Sequence, residues 1–478
     1  MIHIKRKLLN TNPQIYNNVF DGNNDGISLM KSNNNILSGN IVKNSFLGGI
    51  SLYESNNTII WNNTVENSKY EGIDVGESNK LNISNNILRN NGKDGIVIVD
   101  CRNSIIINNS FENNKGNGIS IQDIKNMDLN WNNIRNNSQN GILSYVSNNL
   151  TINSNLIESN NKAGVKLETS KNDIVINNSI KNNSNGIYII AANQNKINNN
   201  KINNSNKSGI LIEGKGNIIK FNIINGSSSY GFFVEGSSNL LSENNISKNK
   251  IAIKLIGNSN NISRNKVLKS ITSSISVEGW RNVIKLNIIK DSENYGVQIV
   301  GGNNSINNNN LSKNKVGIDV KGKENKLSSN KIITSNLYSI NIKGNKNKIK
   351  NNDIKLKNIG INIKGNKNQV NENKINNVKI GVYINGDKNL IFTNKFYLNV
   401  YGVYIKGKLN NITKNIVNNS KFHGIEVKGN KNYIKRNVME KNKHHGIKVN
   451  GKENIIIKNK ISKTKRSILV IGTKNSIK

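Results

Sequence analysis

Four acidic residues recur at one phase of the chain: Glu54, Glu77, Asp100 and Asp123, each 23 residues after the last. If that spacing is one turn of a stacked structure, neighbouring carboxylates lie roughly 5 Å apart. Like charges at that distance raise one another's pKa or recruit a cation, and carboxylate oxygens suit calcium. A calcium site or acid–base chemistry is therefore one expectation for this column. The other is that four solvated turn residues simply stay apart.

A second set gathers near the C-terminus. Tyr401, His423 and His445 each precede a Gly in three successive repeats, while Tyr383, Tyr404 and Glu426 share another phase. Flat aromatic faces beside polar groups suit sugar rings, and a purely stabilising stack at a turn is the alternative. His423, His444 and His445 also offer imidazoles to a metal, although adjacent histidines in a solvated turn rarely take one. A third set is a lysine array, Lys321, Lys343, Lys364, Lys406 and Lys428. Such a stripe attracts polyanions such as acidic glycans, cell-wall polymers or nucleic acid. No recognised nucleic-acid module accompanies it.

What positions these residues is a six-residue pattern: apolar, two free positions, Asn, one free position, apolar. Its Asn occurs at Asn17, Asn40 and Asn63, and continues through Asn86, Asn109, Asn132, Asn155, Asn178, Asn200, Asn222, Asn244, Asn265, Asn287, Asn309, Asn330, Asn352, Asn373, Asn394, Asn415, Asn437 and Asn459. These are 21 occurrences spaced 21–23 residues apart, with none missing. A period of that length signals a stacked repeat, and the Ile, Val and Leu alternation makes each repeat a β-coil rather than a helical hairpin. The spacing predicts an all-β chain: a right-handed parallel β-helix of about 21 coils, with three short strands per coil. The hand follows from the strong preference of parallel crossovers. A column of Asn, one coil above another, can hydrogen-bond to itself and to the corner backbone.

A Gly-Ile-x-apolar marker opens one strand of each coil, as at Gly26, Gly72 and Gly118, with Ala252, Ser274, Ser339 and Ser467 replacing Gly. The marker Gly is read as a backbone corner. Residues 1–25 form a partial N-terminal coil and residues 26–478 a single β-helix. Within it, 26–208 has longer coils and 209–478 shorter, basic coils with a turn glycine. From Gly214 onward the fifth position after the marker is always Gly, where earlier coils carry Glu54, Glu77, Asp100 or Thr169. A tighter turn with positive φ explains the change. A second Asn column, from Asn195 and Asn217 to Asn454, accompanies it.

Charge follows the same division. The net charge is +39; residues 1–239 hold 22 Lys+Arg and 17 Asp+Glu, so the excess lies in the second half. Only 35% of residues are hydrophobic, which on composition alone suggests disorder, but they occupy fixed columns. The one cysteine, Cys101, excludes an internal disulfide. No transmembrane segment is present, and the basic start of the chain lacks the apolar stretch of a signal peptide. The last residues fall mid-coil without a capping helix, so the chain reads as a piece of a longer protein.

The unit GIxΦ…N…ΦxxNxΦxxN, with Φ apolar, resembles the parallel β-helix repeat of pectin-lyase-like and NosD-like proteins. In its Asn- and Lys-rich form it is most similar to adhesin-like surface proteins of methanogenic archaea. The resemblance implies an extracellular or cell-surface protein binding a polysaccharide or cell-wall polymer, non-catalytic, with no cofactor beyond calcium. It also implies an alternative, a polysaccharide lyase or hydrolase. For that alternative Glu77, Asp100, Asp123 and the nearby Arg102 match the carboxylates and basic arginine of calcium-dependent relatives. The substrate face would be Tyr383, Tyr401, Tyr404, His423, Glu426 and His445. Against catalysis stand the missing paired Asp and Gly-His-Gly turn of the polygalacturonase type, and the uniformity of the coils.

Overall fold

A computed structural model describes residues 12–333, 336–355 and 358–478; the start of the basic N-terminal segment lies outside them. The described chain contains strands and turns and no helix, in about 21 coils. It divides into two compact units, residues 1–249 and 250–478.

In the first unit a coil consists of three strands, exemplified by Ile73–Gly76, Asn82–Ser84 and Ile87–Arg89. Each pairs in parallel and in register with its counterparts: Ile73 with Ile96, Ile83 with Ile106, Leu88 with Phe111. Alternation then places Ile73, Val75, Ile83 and Leu88 in the core, fully buried, and turns intervening residues outward. Cys101 is buried as well; burial pushes its thiol up to about 11, which makes it a small core residue. The second unit repeats the plan, with Ser273–Glu278, Val283–Lys285 and Ile288–Lys290 forming one coil around buried Ile275, Val277, Ile284 and Ile289.

The Asn column is the corner device in both units, but it starts at Asn18 and not at Asn17: Asn18 donates its backbone N–H and Nδ2 to Asn40 Oδ1, and Asn17 (φ 52) takes the left-handed place before it. Asn86 donates its backbone N–H and its Nδ2 to Asn109 Oδ1 (2.8 and 3.0 Å), and Nδ2 also donates to the carbonyls of Ile60 and Ser84. Asn287 does the same with Asn309 Oδ1, Ile262 and Lys285. Buried amides and corner backbone thus satisfy one another. The residue before the column Asn is left-handed whatever its type: Asn85 (φ 55), Trp131 (φ 56), Leu286 (φ 59). The second column also hydrogen-bonds, Asn217 Nδ2 to Asn239 Oδ1 at 3.2 Å. A third, not assigned a bonding role from the sequence, runs through Asn91, Asn114 and Asn137.

The two glycine classes have different causes. The marker glycine does not sit in the left-handed region, contrary to the corner reading. A Cβ on Gly72 would lie 2.6 Å from the carbonyl oxygen of Gly95, so the position limits size, which is why only Ala and Ser replace it. The turn glycines do need their conformation. Gly301 has φ 139 and Gly322 φ 149, a region open essentially to Gly alone. In the coils before Gly214 the same turn is left-handed and carries side chains: Glu54 (φ 49), Glu77 (φ 47), Asp100 (φ 51), Asp123 (φ 52).

Candidate functional site

The outward row of the second unit's first sheet places chemistry-bearing residues one coil apart. Parallel pairing puts Asp319 beside Asn341, Asn341 beside Asn362, Asn362 beside Tyr383, Tyr383 beside Tyr404 and Tyr404 beside Glu426. The amides form a chain, with Asn362 Nδ2 donating to Asn341 Oδ1 and Asn341 Nδ2 donating to Asp319 Oδ1. Tyr383 and Tyr404 stack at 5.5 Å with planes 9° apart. Tyr401 meets Tyr404 edge-on at 6.0 Å, and burial followed by the nearby Glu426 charge raises its phenol. Lys428 lies over the Tyr404 ring at 5.5 Å. Glu426, 4% exposed, is paired with Lys428 and Lys448 at 3.7 and 3.9 Å. Two residues along each strand stand the exposed lysines Lys321, Lys343, Lys364, Lys406 and Lys428, forming one flank.

The other flank holds the histidines, and here the expected solvated turn is corrected. His423 is 0% and His445 2% exposed, so neither can serve as an external substrate contact without movement. Tyr401 packs edge-on to His423 at 5.7 Å, and Phe422 covers His423 and His444 at 4.1 and 4.7 Å. The sequence did hold the signal: in other coils of this unit the position before the marker is mostly apolar or aromatic, Ile251, Tyr295, Val316, Tyr338, Ile359 and Ile380, with Ser273 and Arg466 the exceptions. Burial, then the charges of His445, Lys448 and His444, lower His423 to about 4. Burial also leads the lowering of His445, ahead of His444, Arg466 and Lys448.

The acidic column of the first unit does not converge. Glu54 meets Lys31 at 3.7 Å, Glu77 accepts the Tyr53 hydroxyl at 2.7 Å, and Asp123 accepts from Gln122. The Glu77 bond, before burial, pushes the Tyr53 phenol up to about 12. Among the described residues, the one group of three or more His, Cys, Asp or Glu whose donor atoms gather closely enough for a metal is His423, His444 and His445. The column does border an open groove of about 710 Å³ with Ser51, Tyr53 and Asp74, lined also by Glu77, Asp100 and Asp123. Desolvation, then the Glu71 charge, raises the Asp74 carboxyl above the usual range. Asp74 was not singled out from the sequence; it is one residue after Ile73 on the outward face, where the marker's own alternation places it. Arg102 is exposed at the start of the strand Arg102–Ile107.

With this geometry in view, comparison defines the class. The right handed beta helix region matches residues 44–180 and 380–478, and gives the coils their hand. The model described as periplasmic copper-binding protein (NosD) matches residues 115–272, 211–354 and 264–411, more than half of the chain, and the chain belongs to this NosD family. Comparison with curated proteins finds no match. Among solved structures, the periplasmic alginate epimerase AlgG is similar at 18% identity and a TM-score of 0.40, covering 44% of this chain and 58% of its own. The chain therefore spans less than two thirds of that enzyme. A tailspike protein of E. coli bacteriophage HK620 in complex with pentasaccharide is similar at 8% identity and a TM-score of 0.40, covering 78% and 73%. DFA-IIIase from Arthrobacter chlorophenolicus A6 in complex with GF2 is similar at 13% and 0.36, covering 54% and 67%. Among the described residues no helix is long and apolar enough to cross a membrane.

The family's description invites a test for copper. Copper takes imidazole nitrogen or soft sulfur. Residues 115–411, the span matched by the NosD model, contain no His, no Cys and a single Met, Met127, which is 1% exposed in the core. The matched span does not supply that donor set.

Proposed function

We infer that the chain is a non-catalytic glycan-binding β-helix protein working outside the cytoplasm, with the tyrosine row of the second unit as its binding face. The observation that carries this is the stacked, part-exposed Tyr383–Tyr404 pair, held on a row whose buried Asn362 and Asn341 amides bond one another. Aromatic faces offer an apolar platform with a polar edge, which suits the face of a sugar ring. Strand spacing repeats the pattern every ~4.8 Å, so an extended polymer lying along the row meets it repeatedly. The lysine flank favours a polymer carrying negative charge. The Glu426 carboxylate of this face is engaged by Lys428 and Lys448, which supports binding over acid–base work. The periplasmic description of the family and the likeness of the repeat to adhesin-like surface proteins of methanogenic archaea support a role at the cell exterior.

A glycan array probed with the intact protein and with Tyr404→Ala tests this. Loss of the bound glycans on Tyr404→Ala is expected, and unchanged binding overturns the assignment of the face. The second reading is a polysaccharide lyase or hydrolase in the acidic groove of the first unit, favoured by the raised Asp74 carboxyl among Tyr53, Glu77, Asp100 and Asp123. Calcium at the column belongs to that reading. Release of reducing ends or unsaturated products that disappears in Asp74→Asn would favour it over the first.

A further inference from the structure

We propose that His423, His444 and His445 form a binding site for a first-row transition cation that prefers imidazole nitrogen, such as Zn²⁺ or Cu²⁺, independent of the tyrosine face. One nitrogen from each ring lies within 4.8 Å of the others. His445 Nδ1 is 2.6 Å from His444 Nδ1 and 3.4 Å from His423 Nδ1. Two nitrogens held at 2.0–2.1 Å from one ion, at tetrahedral to right angles, stand roughly 2.9–3.4 Å apart. The rings are thus within a few tenths of an ångström of one edge of a coordination polyhedron and on the other.

The bland reading is an aromatic stack that satisfies itself, and the proton count argues against it. His423 Nε2 and His445 Nε2 are buried with no hydrogen-bond partner. A neutral imidazole carries one N–H. If His423 carries it on Nε2, that donor is bare. If it sits on Nδ1 and is used, it points at His445 Nδ1, which must then be unprotonated, so the His445 proton occupies the bare Nε2. Every arrangement of the neutral rings leaves a buried donor without an acceptor, which native cores avoid. A cation on the converging nitrogens also leaves outward N–H groups, but three metal–nitrogen bonds outweigh them.

The surroundings select the ion. The donors are three imidazoles without a thiolate or a coordinating carboxylate, since Glu426 is tied to Lys428 and Lys448. Such a set suits zinc, copper or nickel and not calcium or magnesium. Half-buried His444 is the ring through which an ion enters, past the edge of Phe422. The cluster lies beyond residue 411, outside the span matched by the NosD model.

The test is calorimetric titration and thermal melting of the full chain after chelator treatment, with Zn²⁺, Cu²⁺, Ca²⁺ and Mg²⁺ added singly. All proteins carry His3→Ala, because His3 is the remaining histidine and a separate imidazole for the added ions. Expected are one equivalent of Zn²⁺ or Cu²⁺ bound, a raised Tm with these ions alone, and affinity falling about tenfold or more in His444→Ala. His445→Gln serves as a second variant, and the metal-free Tm of each variant shows that it is folded. Nitrogen hyperfine structure from imidazole in the Cu²⁺ spectrum is the independent readout. No binding by the parent protein, or binding unaltered in both folded variants, overturns the proposal.

Discussion

Asn195 Oδ1 accepts the backbone N–H of Asp173 at 2.8 Å, while Asp173 returns no side-chain proton to the column. Asp173 occupies an asparagine's place. Its Oδ1 accepts Leu150 N–H at 2.9 Å and its Oδ2 the Ser147 hydroxyl, yet the carboxyl is buried. Burial outweighs these bonds and raises its pKa to about 6 from 3.8. The native state therefore binds the proton more tightly than the unfolded chain, so stability falls as pH rises from about 4 to about 6 and is flat above. The loss is at most about 3 kcal/mol. Asp173→Asn is expected to raise Tm at pH 7, by an amount that shrinks to nothing near pH 4. Equal melting shifts at both pH values would contradict this.

The first column predicts a large difference between two asparagines. Asn287→Leu removes an acceptor used by Asn265 and donors used by Asn309, Ile262 and Lys285, and is expected to cost about 1–3 kcal/mol. Asn345 is exposed and its side chain accepts one bond, from Asn366 N–H; Asn345→Leu is expected to cost well under 1 kcal/mol, roughly as other surface changes do. Denaturant midpoints of the two variants check it.

The turn glycines predict an asymmetry between the earlier and the later coils. A Cβ on Gly301 would sit 2.0 Å from the carbonyl oxygen of Gly279, at φ 139. Gly301→Ala should cost about 1–3 kcal/mol from backbone strain alone, with the clash in addition. At the matching turn of the first unit, Glu77→Gly relieves a left-handed residue and should change Tm little. Comparable losses in both would show that the two turns do not differ as described.

Binding at the tyrosine face and at the lysine flank should separate by salt. Loss of the Tyr404 ring should weaken a neutral glycan about tenfold, with little dependence on ionic strength. Lys343→Glu combined with Lys364→Glu should instead weaken an acidic polymer, with the difference largest at low salt, since exposed charges are screened over about 8 Å at physiological salt. Glycan binding measured at two salt concentrations distinguishes the two contributions.

Periodic features were legible in the primary structure, and features that depend on what covers a column were not. The hexad Asn, the alternating Ile and Val, and the turn glycines each repeat in phase, so their roles follow from the fold's own period. The marker glycine was legible as a position but not as a reason, because its constraint comes from the carbonyl one coil away. Tyr383, Tyr401, Tyr404, His423, Glu426 and His445 were grouped correctly by phase, and the structure brings them together. The burial of His423 and His445 was not read, although the apolar residues at the same place in neighbouring coils signalled it; Phe422 and Tyr401 complete the cover. Asp173 was overlooked although it stands one coil before Asn195, since a carboxylate in an amide column breaks the pattern being counted.

The contrast between the two turns has a further consequence, for descent. Where the corner is left-handed, Lys31, Glu54, Asp123, Val146, Thr169 and Ala191 all hold the same backbone, so mutation can rewrite this edge of the first unit with little penalty to folding. The glycine edge of the second unit is closed to such drift. New surface chemistry there has to arise on the sheet rows, which is where its tyrosines and lysines are found.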